Sequence, residues 1–161
     1  MEIAKGLIET LKDICLCFKE ADIRFCLVGG LAVAILAKPR STEDIDLLVL
    51  LQEENRKQLE IILRDKFKVA KVNEVMHFKN AAIWRVLLHN PSADDKGFLI
   101  VDFIFADNDI YRDAIKNRIQ ITVDDVEIPV AAPEDLIKIK QLANRPQDLI
   151  DIEMLRKEGR E

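Results

Sequence analysis

The 161-residue chain lacks several features that would place it at once in a familiar class of protein. Its apolar stretches, such as residues 47–51, fall far short of the roughly 20 residues that a membrane-spanning helix needs. The N-terminus lacks the basic, apolar and small-residue order of a secretory signal. No long stripe of lysine and arginine is present, as duplex DNA or RNA would require. We therefore expect neither a membrane nor duplex DNA as a partner.

Cysteine is also scarce, and the common phosphate-binding loops are missing. Three cysteines form no regular framework, which is typical of a reducing compartment and predicts a cytoplasmic protein. Neither GxGxxG nor GxxxxGK[ST] occurs, so a Rossmann cofactor domain and a P-loop NTPase are excluded. There is also no internal repeat, no low-complexity segment and no linker.

The residues that are present describe a globular protein of mixed secondary structure. Apolar residues make up 49% and charged residues 33%, and 29 acidic against 24 basic residues give a net charge of −5. We expect one α/β (α+β) domain over residues 1–161, a mixed β-sheet flanked by helices, with a core of about 1–130 and a helical tail of about 131–161. Hydrophobic periodicity predicts helices at 1–20, 31–37, 53–66 and 109–116 and after Pro133 and Pro146, strands at 24–28, 44–51, 67–72, 81–89 and 98–105, and a hairpin at 118–123 and 126–130.

Two carboxylates stand at the start of an apolar strand. Asp44 and Asp46 flank Ile45, and because strand side chains alternate between faces, both carboxylates point the same way. Like charges this close repel unless a cation lies between them or one remains protonated. Mg²⁺ is commonly held by one or two carboxylates together with phosphates and water. Taken alone, the pair would be read as an ordinary exposed strand edge.

Asp102 interrupts a strand that is otherwise apolar on both faces. An ionised carboxylate in that position needs a cation, a basic side chain or a proton. The structural alternative is an ion pair with Arg24, Arg40 or Arg85. Three such aspartates in one small domain favour a functional interpretation.

Gly29 and Gly30 end a short apolar strand and precede a helix. The backbone N–H groups at such a helix N-terminus are well suited to phosphate. Two adjacent glycines also mark many ordinary turns, so this signal alone is weak.

Together these residues resemble the signature of the nucleotidyltransferase superfamily that includes DNA polymerase β. Val28-Gly29-Gly30, thirteen intervening residues and then Asp44-Ile45-Asp46-Leu47 match its pattern, and Asp102 stands where the third acidic residue is expected. The tail from Pro133 to Asp151 is similar to the C-terminal helices of minimal and abortive-infection-type bacterial and archaeal members.

The resemblance implies a function and a set of site residues. The expected activity is metal-dependent transfer of a nucleoside monophosphate from an NTP to an acceptor hydroxyl. Asp44 and Asp46 would hold the Mg²⁺ of the triphosphate, and Asp102 would join them at a second Mg²⁺ in a two-metal mechanism, with Mn²⁺ as a substitute ion. Gly29 and Gly30 would contact phosphate. The expected acceptor is a small molecule, a protein side chain or an RNA end, and a small helical protein is a further expected partner.

Several further residues carry two interpretations each. Arg40 and Lys140 are candidate nucleotide-binding residues, but Arg40 could pair with a carboxylate and Lys140 could lie on a solvated helix face. Arg145, Asp148 and Asp151 are predicted to form interhelical salt bridges. Trp84 is predicted to lie in the core.

Two other functions are compatible with the same residues. One is a non-catalytic nucleotide-binding or interaction module, for instance one half of a toxin–antitoxin pair. The other is a nucleotide-sugar glycosyltransferase, whose Asp-x-Asp also binds a metal diphosphate. The chain is short for a glycosyltransferase, and its Gly-Gly to Asp spacing fits that class poorly.

Overall fold

A mixed β-sheet carries the fold. The computed structural model describes residues 5–37, 42–92 and 97–158 of the chain. Within them, eight strands join one sheet and six α-helices accompany it, so the predicted fold class is confirmed. In chain order the elements are α1 (Lys5–Glu20), β1 (Phe25–Val28), α2 (Gly29–Leu36), β2 (Asp44–Val49), a 3-10 turn (Glu53–Asn55), α3 (Arg56–Lys66), β3 (Val69–Val72), β4 (Met76–His77), β5 (Ala82–His89), β6 (Phe98–Phe105), α4 (Asp109–Lys116), β7 (Ile119–Val123), β8 (Val126–Val130), α5 (Pro133–Ala143) and α6 (Pro146–Glu158).

The strand order places β2 in the middle of the sheet. The order is β3-β5-β6-β2-β1-β8-β7, and β4 pairs with β5 beside this path. Strand β2 runs parallel to β6 and antiparallel to β1, and β5 runs antiparallel to β6. The acidic strand is therefore flanked on one side by the strand that contains Asp102 and on the other by the strand that leads into Gly29.

The core forms where α1 packs against the sheet. Leu7, Leu11, Ile14 and Phe18 recur at helical spacing and are all fully buried. The Phe18 ring lies edge-on to Phe25, with ring centroids 5.2 Å apart. Burial of these side chains fixes one face of β1 and β2 and leaves the polar positions of β2 on the other.

The element boundaries differ from the prediction in a few places. Helix α2 begins at Gly29, two residues before the predicted start, so both glycines lie in its first turn. Strand β4 was not predicted, because two residues are too few to show alternation. The predicted short helix coincides with α4, and the hairpin turns at Asp124 and Asp125 as expected. In the described segments, no helix has the length and apolar character needed to cross a bilayer.

Candidate active site

Asp44, Asp46 and Asp102 lie on two neighbouring central strands. The parallel register pairs Asp46 with Asp102, and Asp44 stands two residues earlier on β2. All three line one cleft of about 1070 Å³ between the sheet and helices α5 and α6. The same cleft is lined by Gly29 and Gly30 at the start of α2. The two glycines and three aspartates of the sequence motif thus surround one cleft.

Both the backbone conformation at position 29 and the closeness of the Asp46 side chain require a glycine there. Its φ is +73°, a left-handed conformation that non-glycine residues rarely adopt. A Cβ built on Gly29 would lie 2.2 Å from Oδ2 of Asp46. The chain therefore turns into α2 directly against a site carboxylate. The N-cap residue is Val28, whose side chain makes no capping hydrogen bond, so the first amides of α2 have no side-chain cap.

The electrostatics of the cleft favour protonation of Asp44 and Asp46. Burial, and then the charges of Asp102 and Asp44, raise the pKa of Asp46 to about 7. Burial and the charge of Asp102 also raise the pKa of Asp44. Burial and mutual repulsion both disfavour the charged forms of these two side chains, and a bound cation would oppose both effects.

Asp102 has a basic partner on the adjacent strand. Arg85 stands opposite Asp102 in the antiparallel pairing of β5 and β6. Its Nε donates to Oδ1 of Asp102 at 2.8 Å and its Nη2 donates to Oδ2 at 2.9 Å. Arg85 is one of the three arginines that the sequence offered as partners of Asp102, and it makes the predicted ion pair. Both carboxylate oxygens are engaged by one guanidinium, and the hydrogen bond to Asp102 is the main reason that the pKa of Arg85 is raised.

The tail helices add a buried ion cluster to the cleft wall. Nζ of Lys140 on α5 donates to Oδ2 of Asp151 on α6 at 2.9 Å and lies 3.6 Å from Oδ1 of Asp148. Arg145 bonds Asp148 through its Nε at 2.9 Å. Asp148 and Asp151 thus take part in interhelical salt bridges as predicted, but their partner across the helices is Lys140, whereas Arg145 lies between α5 and α6 and pairs locally with Asp148. A solvated helix face for Lys140 is wrong, because only 5% of the residue is exposed.

This cluster also acts on the carboxylates of β2. The positive charges of Lys140 and Arg145 oppose the rise in the pKa of Asp46. The hydrogen bonds and charge of Arg145 outweigh burial at Asp148 and lower the pKa of that carboxyl group. Lys140 therefore contributes to the potential of the cleft in addition to joining α5 to α6.

The donor chemistry suits a divalent cation at Asp44 and Asp46. Both supply carboxylate oxygens from the same side of one strand, and Mg²⁺ prefers oxygen ligands and needs few from protein. In residues 5–37, 42–92 and 97–158, no three His, Cys, Asp or Glu side chains are arranged as a ready metal site. Because Arg85 bonds both Asp102 oxygens, the two carboxylates of β2 fit one ion, and a second ion at Asp102 would have to share one of those oxygens with the guanidinium or displace it.

The other candidates have structural positions. Arg40 lies outside the described residues. Trp84 is buried and donates its Nε1–H to the carbonyl of Asn73, so the predicted core position is confirmed. No sequence pattern indicated the apolar wall of the cleft, which includes Met76, Phe78 and Ile83 around the short strand β4.

The strand order and the acidic cleft define a protein of the nucleotidyltransferase fold class, and the comparisons agree. A Thermotoga maritima structure described as a nucleotidyltransferase has a TM-score of 0.66 at 19% identity, over 97% of this chain and 94% of that one. A nucleotidyltransferase-like antigenic protein from Paracoccidioides brasiliensis has a TM-score of 0.62 at 17% identity, over 94% of this chain and 76% of that one. The lincosamide antibiotic adenylyltransferase LnuA, solved with lincomycin, has a TM-score of 0.53 at 15% identity, over 97% of this chain and 98% of that one.

The sequence itself matches one family over residues 11–161. The chain belongs to the AbiEii family, described as nucleotidyl transferase toxins of type IV toxin–antitoxin systems. Its activity is accordingly nucleotidyl transfer. A search of curated proteins found no significant match.

Proposed function

We propose that the protein transfers a nucleoside monophosphate from an NTP to an acceptor hydroxyl in a reaction that depends on Mg²⁺. The observation that carries this proposal is the position of Asp46. Its carboxylate lies against Gly29, the first residue of α2, and beside Asp102. A cation bound by Asp46 would therefore lie close to a helix start that is suited to phosphate.

Asp44 and Asp46 would bind the cation that accompanies the triphosphate. Their pKa values are raised by burial and by neighbouring carboxylates, so the site carries more negative charge than the protein compensates. Mg²⁺ bound there would neutralise phosphate charge and hold the phosphates in line for displacement. The net charge of −5 supports a metal ion, rather than lysines, in this role.

The start of α2 and Lys140 would orient the phosphates. The amides of Gly29 and Gly30 begin a helix without a side-chain cap, and the helix dipole adds partial positive charge at that end. Lys140 faces the same cleft from α5 while remaining bound to Asp151. Lys140 would therefore add positive potential to the cleft and form a fixed part of its wall.

Asp102 would act on the acceptor side, together with a second Mg²⁺, as the resemblance implies. The acceptor would be a small molecule, a protein side chain or an RNA end, and the partner a small helical antitoxin. Family membership supports a role as the toxin of such a pair. An NTP donor and three cysteines without disulfides fit action in the cytoplasm.

Incubation with each α-labelled NTP and Mg²⁺ or Mn²⁺ tests this proposal. The parent should transfer label to one acceptor class, and Asp44→Asn should reduce the rate by at least about a hundredfold, since it removes a ligand of the cation. Asp65→Asn, an exposed aspartate on α3, is the matched control and should behave as the parent. Metal-independent transfer, or equal rates in parent and Asp44→Asn, would contradict the proposal.

The second candidate is nucleotide binding without turnover. The bidentate bond between Arg85 and Asp102 favours it, because that bond engages the acid expected on the acceptor side. Under this alternative, labelled NTP would bind in the presence of Mg²⁺ and no label would be transferred, with a cognate helical partner present or absent.

A further inference from the structure

Arg85 lines the cleft but has no role in the proposed transfer reaction. Its guanidinium bonds both oxygens of Asp102 from the neighbouring strand, and its side chain, 36% exposed, forms part of the cleft lining. Asp102 is only 6% exposed and stands next to Asp46 in the register of β2 and β6. The pair therefore combines a buried acid with a cation that can reach solvent.

Arg85 is placed where its positive charge offsets the negative charges of all three aspartates. Its charge interacts with Asp44 and Asp46 as well as with Asp102. A divalent ion shared by Asp102 would need at least one of the two oxygens that the guanidinium now engages. Two cations cannot both occupy that position without strong repulsion.

We propose that Arg85 is a positioning residue that competes with a divalent cation for Asp102. It holds the carboxylate in place while the cation is absent, and a cation that binds Asp102 must share at least one of these oxygens with the guanidinium or displace it. This inference rests on the proposed function, since it takes Asp44 and Asp46 as the site of the first ion. Its consequence is that binding of a second ion is weakened by a residue that touches no substrate.

Direct titration with Mn²⁺ tests the competition without any measurement of turnover. Calorimetry and the electron paramagnetic resonance signal of unbound Mn²⁺ would give the number of ions bound and their affinities. Arg85→Gln removes the charge and should tighten the weaker Mn²⁺ site about tenfold, because a like charge no longer opposes the ion. Arg85→Lys keeps the charge with one point of contact and should give an intermediate affinity.

Two further variants separate this effect from a general loss of structure. Arg64→Gln removes an arginine that bonds Glu60 at 2.9 Å on exposed α3, and its Mn²⁺ affinities should match those of the parent. Asp102→Asn should lose the weaker site, and adding Arg85→Gln to it should not restore that site. Without metal, Arg85→Gln should melt lower than the parent, since it leaves Asp102 buried without its partner.

The outcomes are distinguishable. If the parent binds Mn²⁺ and Arg85→Gln binds it equally or more weakly, Arg85 does not compete with the ion and the inference is overturned while the proposed function stands. If Arg85→Gln does not fold, Arg85→Lys decides, and an affinity no higher than that of the parent overturns the inference. If parent, Arg85→Gln and Arg85→Lys all bind no Mn²⁺, both the inference and the metal-dependent function fall.

Discussion

The surroundings of Asp46 reduce the stability of the folded protein when its carboxylate is charged. The charged form of this carboxylate is less favourable in the folded protein than in the unfolded chain, because the side chain is partly buried beside two other carboxylates. Burial is the larger cause of its raised pKa, and the charge of Asp102 comes next. Sites that bind cations commonly carry this cost until the ion arrives.

The raised pKa predicts that Asp46→Asn stabilises the metal-free protein at neutral pH and above. The unfolded chain loses the Asp46 proton near pH 4, whereas the folded chain loses it near pH 7. The parent therefore loses stability between these values, and above pH 7 the loss is constant. In a chelating buffer we expect Asp46→Asn to unfold about 4–8 °C higher than the parent at about pH 8, which corresponds to roughly 2 kcal/mol.

Calorimetric melting curves at several pH values provide the measurement. The difference between Asp46→Asn and parent should shrink as the pH falls towards 4, and Asp65→Asn should show no such trend. A variant that melts below the parent at about pH 8 would show that Asp46 is stabilised, rather than strained, by its surroundings.

Gly29 makes a second prediction at this scale. Gly29→Ala should lower the free energy of unfolding by about 1–3 kcal/mol, because alanine disfavours a φ of +73° and its Cβ would displace the Asp46 carboxylate. It should also weaken binding of MgNTP. Gly30→Ala is the control, since Gly29 is the glycine with a positive φ in the described chain. Equal urea midpoints for the two variants would be evidence against this role.

At the scale of elements, local patterns predicted most of the fold, and long-range pairing explains the rest. The helix from Asp109 to Lys116 and the hairpin that turns at Asp124 depend on their own periodicity and turn residues, and both were predicted closely. Lys140 is different. Its sequence position suggests an exposed helix, and only the packing of α6 against α5 buries it beside Asp151. No local pattern contains that information.

The tail cluster predicts a large effect of removing its central cation. Lys140→Met leaves Asp151 buried without a lysine that lies 2.9 Å away, so we expect a loss of about 2–4 kcal/mol in the free energy of unfolding. Lys138→Met, on the exposed side of the same helix, should change it by less than about 0.5 kcal/mol. Urea unfolding of both variants makes the comparison, and similar midpoints would mean that the buried pair contributes nothing to stability.

At the scale of the molecule, the site exists because β2 lies between β1 and β6. The resemblance to nucleotidyltransferases predicted which residues would meet, and they do so because Gly-Gly follows β1 directly and Asp-x-Asp lies on β2, the strand paired with it. The partner of Asp102 could not be chosen from the sequence, since Arg24, Arg40 and Arg85 were equally available until the register of β5 and β6 was known. The apolar cleft wall around β4 depends on the pairing of β4 with β5.

The central claim is that this cleft binds nucleotides through a metal held by Asp44 and Asp46. The most direct measurement is the dissociation constant of non-hydrolysable ATP and GTP analogues with and without Mg²⁺, for the parent, Asp44→Asn and Asp65→Asn. We predict that Mg²⁺ tightens binding of at least one analogue by at least about tenfold in the parent and in Asp65→Asn, and by less than about twofold in Asp44→Asn. Affinities that are the same with and without Mg²⁺, and the same in the parent and in Asp44→Asn, would contradict the account.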